Sequence, residues 1–304
     1  MRLLISFVNS DISLACYDVR RDAILWELPN SFVAACGICY IDSTLWVAAA
    51  NDVYQFSKDV PRHWQLGATF PMQLHSIHPL PDGHIGVVDT GNSALRVFDD
   101  NGSPVTAYFP VGAWENSDSD TIHLNDFVHT PYGILGSCFD HRPYKEVRKN
   151  TPWEQWCRQR SGVIINLSGN DTTGRGSIVG CGFNHPHSLT YLAPYLYVCS
   201  SATGVFKRMK FDEDGVLYCD RKYKVTDKHF LRGALKVANK WILGGSARRH
   251  WEPLNNDAAI YILDEDTGEV HQRKIKGKRE IYDILLWDDA ICDFGFPGVD
   301  RLRQ

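Results

Sequence analysis

The chain has 304 residues, 44% of them hydrophobic and 22% charged, with a formal net charge of −4. That balance belongs to a globular chain rather than a disordered one, and the scattered Lys and Arg residues form no broad basic field of the kind that binds nucleic acid. Aromatic residues reach 12%, which suits strands better than a helical bundle.

The first residues, MRLLISFVNSDISLACYDVRR, resemble a signal peptide only superficially. Asn9, Asp11 and Asp18 interrupt a short apolar run, so the segment reads as a mature strand and the protein as cytoplasmic. No stretch approaches the ~18 apolar residues of a membrane span, so no membrane partner is expected. The nine cysteines are irregularly spaced. Cys36 and Cys39 stand in an alternating strand pattern that turns them to opposite faces. Reduced, mostly buried thiols are expected rather than a redox or zinc motif.

One pattern then recurs along the chain: an apolar strand, a turn, a second strand, a polar turn, a third strand and a further turn. It is visible at 36–57 and clearest at 75–102, where a Pro-Asp-Gly turn and an Asp-Thr-Gly-Asn turn separate the strands and a fourth follows at Val105–Phe109. Copies begin again at Asn125, at His187 and at Arg232. A sixth is split: YDILLWDDA at 282–290 lacks its later strands, and LLISFVNS, ISLACYD and AILWEL at the N-terminus supply them. The fold expected is therefore an all-β six-bladed β-propeller, its ring closed by N-terminal strands that complete the C-terminal blade. Closure leaves no open edge strand. It forms one domain over 1–304 with insertions at about 139–160 and 247–257; seven blades follow only if two units are merged around 139–180. In the first insertion, Thr151-Pro152-Trp153-Glu154 predicts a short helix to Arg160 with Thr151 as its cap. His250 and Trp251 belong to the second.

Aligning the repeats sets Gly37, Ser76, Asn125, Ser188, Gly233 and Asp283 at one position on the innermost strands. His75, His187, Arg232 and Tyr282 stand just before it, and His123, Asp126, His185 and Glu280 stand near. Imidazole and charged groups gathered from separate blades are costly to bury unless they pair or bind something. His75, His123 and His187 are candidate catalytic residues and candidate ligands for a divalent zinc, iron or copper ion, with the candidate catalytic Glu280, or Asp283, as fourth ligand or base. Arg232, Asn125, Asp126, Asp283 and Tyr282 are candidate substrate-binding residues. Metal-free acid–base chemistry on a His, with Arg232 holding an anion, is a second reading. A calcium or magnesium site on Glu280, Asp283 and Asn125 is a third, and a hydrated structural network a fourth. Glycines such as Gly174, Gly176, Gly244 and Gly245 lack a phosphate-loop context, so no nucleotide cofactor is expected. Arg248 and Arg249 read as solvated surface residues, with contact to an anion as the alternative.

The motifs His123-Leu124-Asn125-Asp126, His185-Pro186-His187-Ser188, Arg232-Gly233 and Gly244-Gly245-Ser246-Ala247-Arg248-Arg249 resemble a poorly characterised bacterial propeller-like family, a domain of unknown function with His-Leu-Asn-Gly, Pro-His-Ser and Arg-Gly-Leu patterns. The resemblance covers about 120–290, and Asp126 replaces the usual glycine. The N-terminal third is similar to NHL-type blades. More distant six-bladed relatives would include strictosidine-synthase-like propellers, lactonases and lyases, an analogy of fold. The function expected is an enzyme acting on a small polar or anionic molecule at the channel mouth, as a metal-assisted lyase or hydrolase. The alternative is a non-catalytic propeller that binds a small molecule or another protein.

Overall fold

The computed structural model describes residues 1–303 except 32, 34, 59–61, 66–72, 110–119, 169–175 and 248–256. Arg248, Arg249, His250, Trp251, Gly174 and most of the second insertion therefore lie outside the described residues. The described strands form six four-stranded antiparallel sheets, the blades of an all-β six-bladed β-propeller. They divide into two compact units, Met1–Thr69 with Arg232–Gln304 and Phe70–Leu231.

The first unit holds the split repeat: β1 (Arg2–Val8), β2 (Ile12–Asp18) and β3 (Ala23–Pro29) are completed by β24 (Glu280–Leu286). β24 pairs antiparallel with β1, Leu3 opposite Leu286 and Ile5 opposite Ile284, so the first and last strands share one sheet as the sequence predicts. The same unit holds β4 (Ala35–Ile41), β5 (Thr44–Ala49), β6 (Asp52–Phe56) and β7 (Arg62–Gln65). Its third blade is β20 (Phe230–Val237), β21 (Lys240–Ser246), β22 (Ala258–Asp264) and β23 (Val270–Ile275). After β24 two short 3₁₀ turns carry Ile291, Phe294, Phe296 and Val299 into a core with Trp26, Leu45 and Phe56. Phe296 lies 4.7 Å from Phe56 and stacks on Trp26, whose indole N–H donates to Pro297 O (2.9 Å). The sequence pattern gave no sign of this apolar seal, because it follows the last repeat and has no strand period.

The second unit holds β8 (Leu74–Pro79), β9 (Ile85–Asp89), β10 (Ala94–Phe98) and β11 (Pro104–Tyr108); then β12 (Leu124–Thr130), β13 (Gly133–Cys138), β14 (Gly162–Asn166) and β15 (Ser177–Phe183); then β16 (Pro186–Leu192), β17 (Tyr195–Ser200), β18 (Val205–Phe211) and β19 (Leu217–Lys224). The Asp-Thr-Gly-Asn segment is the blade turn expected. Asp89 is fully buried, and its carboxylate accepts from the Asn92 backbone and side chain and from Arg96 Nε (2.7 Å). Strand β12 packs through Phe127, Leu124 and the neighbouring blade's Val88, Leu95 and Val97.

The first insertion is two helices rather than one, α1 (Tyr144–Asn150) and α2 (Trp153–Arg158). Thr151 does not cap α2. It ends α1, its N–H bonding Val147 O, and Pro152 takes the N-cap position without a side-chain bond. The helices are anchored instead by Asp140, which is fully buried and accepts from Arg142 Nε (2.9 Å), Arg142 Nη2 (2.8 Å) and Trp156 Nε1 (2.9 Å). Burial alone would raise this carboxyl, but hydrogen bonds from Arg142, Ser161 and Trp156 outweigh it and hold it below the usual carboxylate range. A carboxyl depressed by folding stabilises fully above its unfolded value of about 3.9 and loses that contribution as pH falls through its folded value. Acid titration followed by tryptophan fluorescence should show the helical insertion loosening below about pH 4. The Asp140→Asn variant should lose that transition and begin with a less protected Trp156; an unchanged acid profile would contradict this anchor.

Candidate active site

Backbone hydrogen bonds fix which residues of successive blades in the second unit correspond. Thr90 N–H donates to Gln73 O (3.0 Å), Phe139 N–H to His123 O (3.3 Å) and Ser201 N–H to His185 O (3.3 Å). Gln73, His123 and His185 are thus one position, and His75, Asn125 and His187 another, two residues on. A register shift follows in each inner strand, between Leu74 and Ile77, between Leu124 and Asp126, and between His187 and Thr190. These bulges re-aim the side chains at the strand start. The structure therefore aligns Asp126, not Asn125, with Ser76 and Ser188. His123 belongs with His185, and both have left-handed backbone, φ 53° and 49°.

That shift does not separate His123 from His75, whose rings meet edge to face at 5.4 Å. His123 stacks on Tyr144 of α1 (4.4 Å, 12°) and touches Phe139 (4.3 Å). Phe139 also contacts His187 (5.1 Å) and stacks on His185 (4.3 Å). His185 is fully buried, in further contact with Trp153 and Trp156 of α2. It packs the insertion against the blade.

Two imidazoles have tautomers dictated by their partners. His123 Nδ1 lies 2.5 Å from Asp120 Oδ2, and its backbone N–H donates to the other carboxylate oxygen (2.8 Å). A carboxylate only accepts, so Nδ1 carries the proton and Nε2 the lone pair. His187 Nδ1 lies 3.0 Å from His185 O and 2.9 Å from Ser201 Oγ. The Ser201 hydroxyl spends its own proton on Leu231 O (2.6 Å), so it too accepts from Nδ1–H. Asp120 went unnoticed in the sequence, although Asp120-Thr-Ile-His123 has the spacing of a carboxylate that caps a backbone N–H and reaches the ring three residues on.

The other candidates serve several ends. Asn125 is 1% exposed; its Nδ2 donates to His123 O (3.0 Å) and Pro186 O (3.4 Å), and its Oδ1 has no hydrogen-bond partner among the described residues. Asp126 accepts from Phe127 N–H (2.8 Å), from Leu189 N–H of the next blade (2.6 Å) and bonds His78 Nε2 (2.8 Å). In the first unit Asp283 repeats the device, accepting from Ile284 N–H (2.9 Å) and Ile38 N–H (3.2 Å). Glu280 is buried, accepts from Asn9 Nδ2 (3.1 Å) and lies 3.8 Å from Arg232 Nη1. Arg232 in turn lies over the Tyr282 ring (5.3 Å). Among the described residues no three His, Cys, Asp or Glu side chains gather in an arrangement that could hold a metal ion.

Asp126→Ala should destabilise the protein by about 1–3 kcal/mol, because it strands two buried N–H groups, with Asp126→Asn costing less. Urea midpoints check this, and no loss in the alanine variant would show that the carboxylate is not a seam bond.

No known family model matches the sequence, and no curated protein matches it. Solved structures do share the fold. A protein of unknown function from Bacteroides caccae superposes with a TM-score of 0.67 at 14% identity, covering 93% of this chain and 97% of that one. The calcium-binding protein regucalcin from Agrobacterium tumefaciens gives 0.54 at 13% identity, over 81% and 76%. The periplasmic gluconolactonase of Pseudomonas aeruginosa gives 0.54 at 11%, over 91% and 84%. At these identities the likeness is one of fold.

Proposed function

We propose that the protein is a hydrolase acting on a small polar or anionic molecule, with His123 as its general base. The observation that carries this reading is the Asp120–His123 pair. Asp120 holds Nδ1–H and leaves the Nε2 lone pair to take a proton from water as it attacks the substrate. The same carboxylate then compensates the charge that the ring acquires, the arrangement that makes histidine effective in acyl transfer. The side chains are 11% and 16% exposed, low enough to strengthen the pair and high enough for small molecules to reach it. Ser201 places the proton of His187, which shares the Phe139 wall, and His75 flanks the His123 ring. Tyr144 and Phe139 supply the apolar walls usual in small-molecule sites. The fold shared with a gluconolactonase supports hydrolysis over elimination and suggests small lactones and polar esters as the first substrates to try.

Against such a panel, begun with glucono-1,5-lactone, His123→Gln should lower kcat by about 10²–10⁴-fold. Asp120→Asn should do so by a similar factor, since an amide no longer enforces the tautomer. A wild-type protein that turns over none of the panel, or a His123→Gln variant that keeps its turnover, contradicts the proposal.

A further inference from the structure

Away from the histidines, the second unit buries a lysine beside another cation. Lys207, on β18, is 7% exposed, and its ammonium donates to Gly182 O on β15 (3.0 Å). Arg160, which follows α2, donates its Nε to the same carbonyl (3.3 Å). Two cationic side chains thus converge on one neutral acceptor. Gly182 has φ +80°, and a Cβ there would come within 3.2 Å of the Arg160 guanidinium, so the glycine keeps the space that Arg160 fills. Neither cation forms an ion pair with a carboxylate among the described residues. The face of Phe183 (4.5 Å) is the remaining support for the ammonium. The groups facing it are Arg160, Cys181 on β15, and Cys219 and Lys222 on β19; Lys222 is also its cross-strand partner.

A buried ammonium without a counter-charge is expensive, and desolvated, perturbed groups cluster at functional sites. Burial pushes Lys207 down to about 8, the neighbouring Arg160 and Lys222 push in the same direction, and the thiols of Cys219 and Cys181 oppose them. Desolvation next to a second cation is how amines become nucleophiles near neutral pH.

We propose that Lys207 is a nucleophilic amine that condenses reversibly with small anionic aldehydes or ketones, whose anionic group Arg160 holds. The amine lone pair forms a C–N bond to the carbonyl carbon. The carbonyl oxygen leaves as water with the two amine protons, and an imine remains. Arg160, sharing the Gly182 carbonyl with the amine, stands within one side chain of the reacting carbon and presents its remaining N–H groups to a phosphate or carboxylate. No oxidant or second reactant is needed.

The test is to treat the intact protein with pyridoxal 5′-phosphate as the probe, reduce with borohydride and map the modified peptides by mass spectrometry. At pH 8 about half of the Lys207 amines are neutral, against well under 1% of an exposed lysine with its ordinary value near 10.4. Lys207 should therefore be labelled about tenfold or more above exposed lysines such as Lys145 and Lys149. Its labelling should rise to half-maximum near pH 8. Inorganic phosphate should compete, and Arg160→Ala should reduce labelling several-fold with the circular dichroism spectrum unchanged. Labelling of Lys207 no greater than that of the exposed lysines, or labelling indifferent to both phosphate and Arg160→Ala, would overturn the proposal.

Discussion

Each blade must be joined to the next at the start of its innermost strand, where backbone carbonyls are buried and lack a strand partner. The molecule meets this need with a side-chain hydroxyl. Thr90 Oγ donates to Leu124 O (2.5 Å) and Ser201 Oγ to Leu231 O (2.6 Å) in the second unit, and Ser246 Oγ to Ile281 O (2.6 Å) and Ser6 Oγ to Cys36 O (2.5 Å) in the first. A buried carbonyl left unpaired would cost about 1–3 kcal/mol, and the bond recurs at these four seams. Carboxylates one step further along the inner strand, Asp126 and Asp283, tie two N–H groups each and finish the junction.

In the second unit the blade of β12–β15 departs from this pattern. Phe139 stands where Thr90 and Ser201 stand in the neighbouring blades and has no hydroxyl to give. Asn125 supplies the missing donor, reaching Pro186 O (3.4 Å), the counterpart of the Leu124 and Leu231 carbonyls. The aromatic ring that replaces the hydroxyl contacts His123, His185 and His187 and meets Trp156 of the insertion edge to face. Departures from a local rule concentrate at functional sites, and here the exchange turns a structural seam into a wall beside two imidazoles of defined tautomer.

The fold was legible in the sequence because it is repetitive: period-2 alternation and turn residues recur in each blade, and the split last copy implies the pairing of β24 with β1. Register alone also aligns His75 with His187, as the inner-strand hydrogen bonds do. It misplaced Asn125 and Asp126 by one position because a bulge adds a residue to the strand without changing the hydrophobic pattern. Asp120 and Phe139 were missed for different reasons. The first lies before its strand, outside the repeat, and the second matters for what it replaces. The role given to Thr151 failed because Asp140, a carboxylate outside both helices, does the anchoring that a cap would otherwise share.

Asp120 and Ser201 fix the protons of His123 and His187 on Nδ1, which leaves the lone pair of His123 on Nε2. Long-range ¹H–¹⁵N correlation of the imidazole rings at neutral pH measures this directly, with Asp120→Asn and Ser201→Ala used to assign the two signals. Both rings should show the Nδ1–H tautomer, lost at His123 in Asp120→Asn and at His187 in Ser201→Ala. Protons resting on Nε2 in the wild type would contradict it.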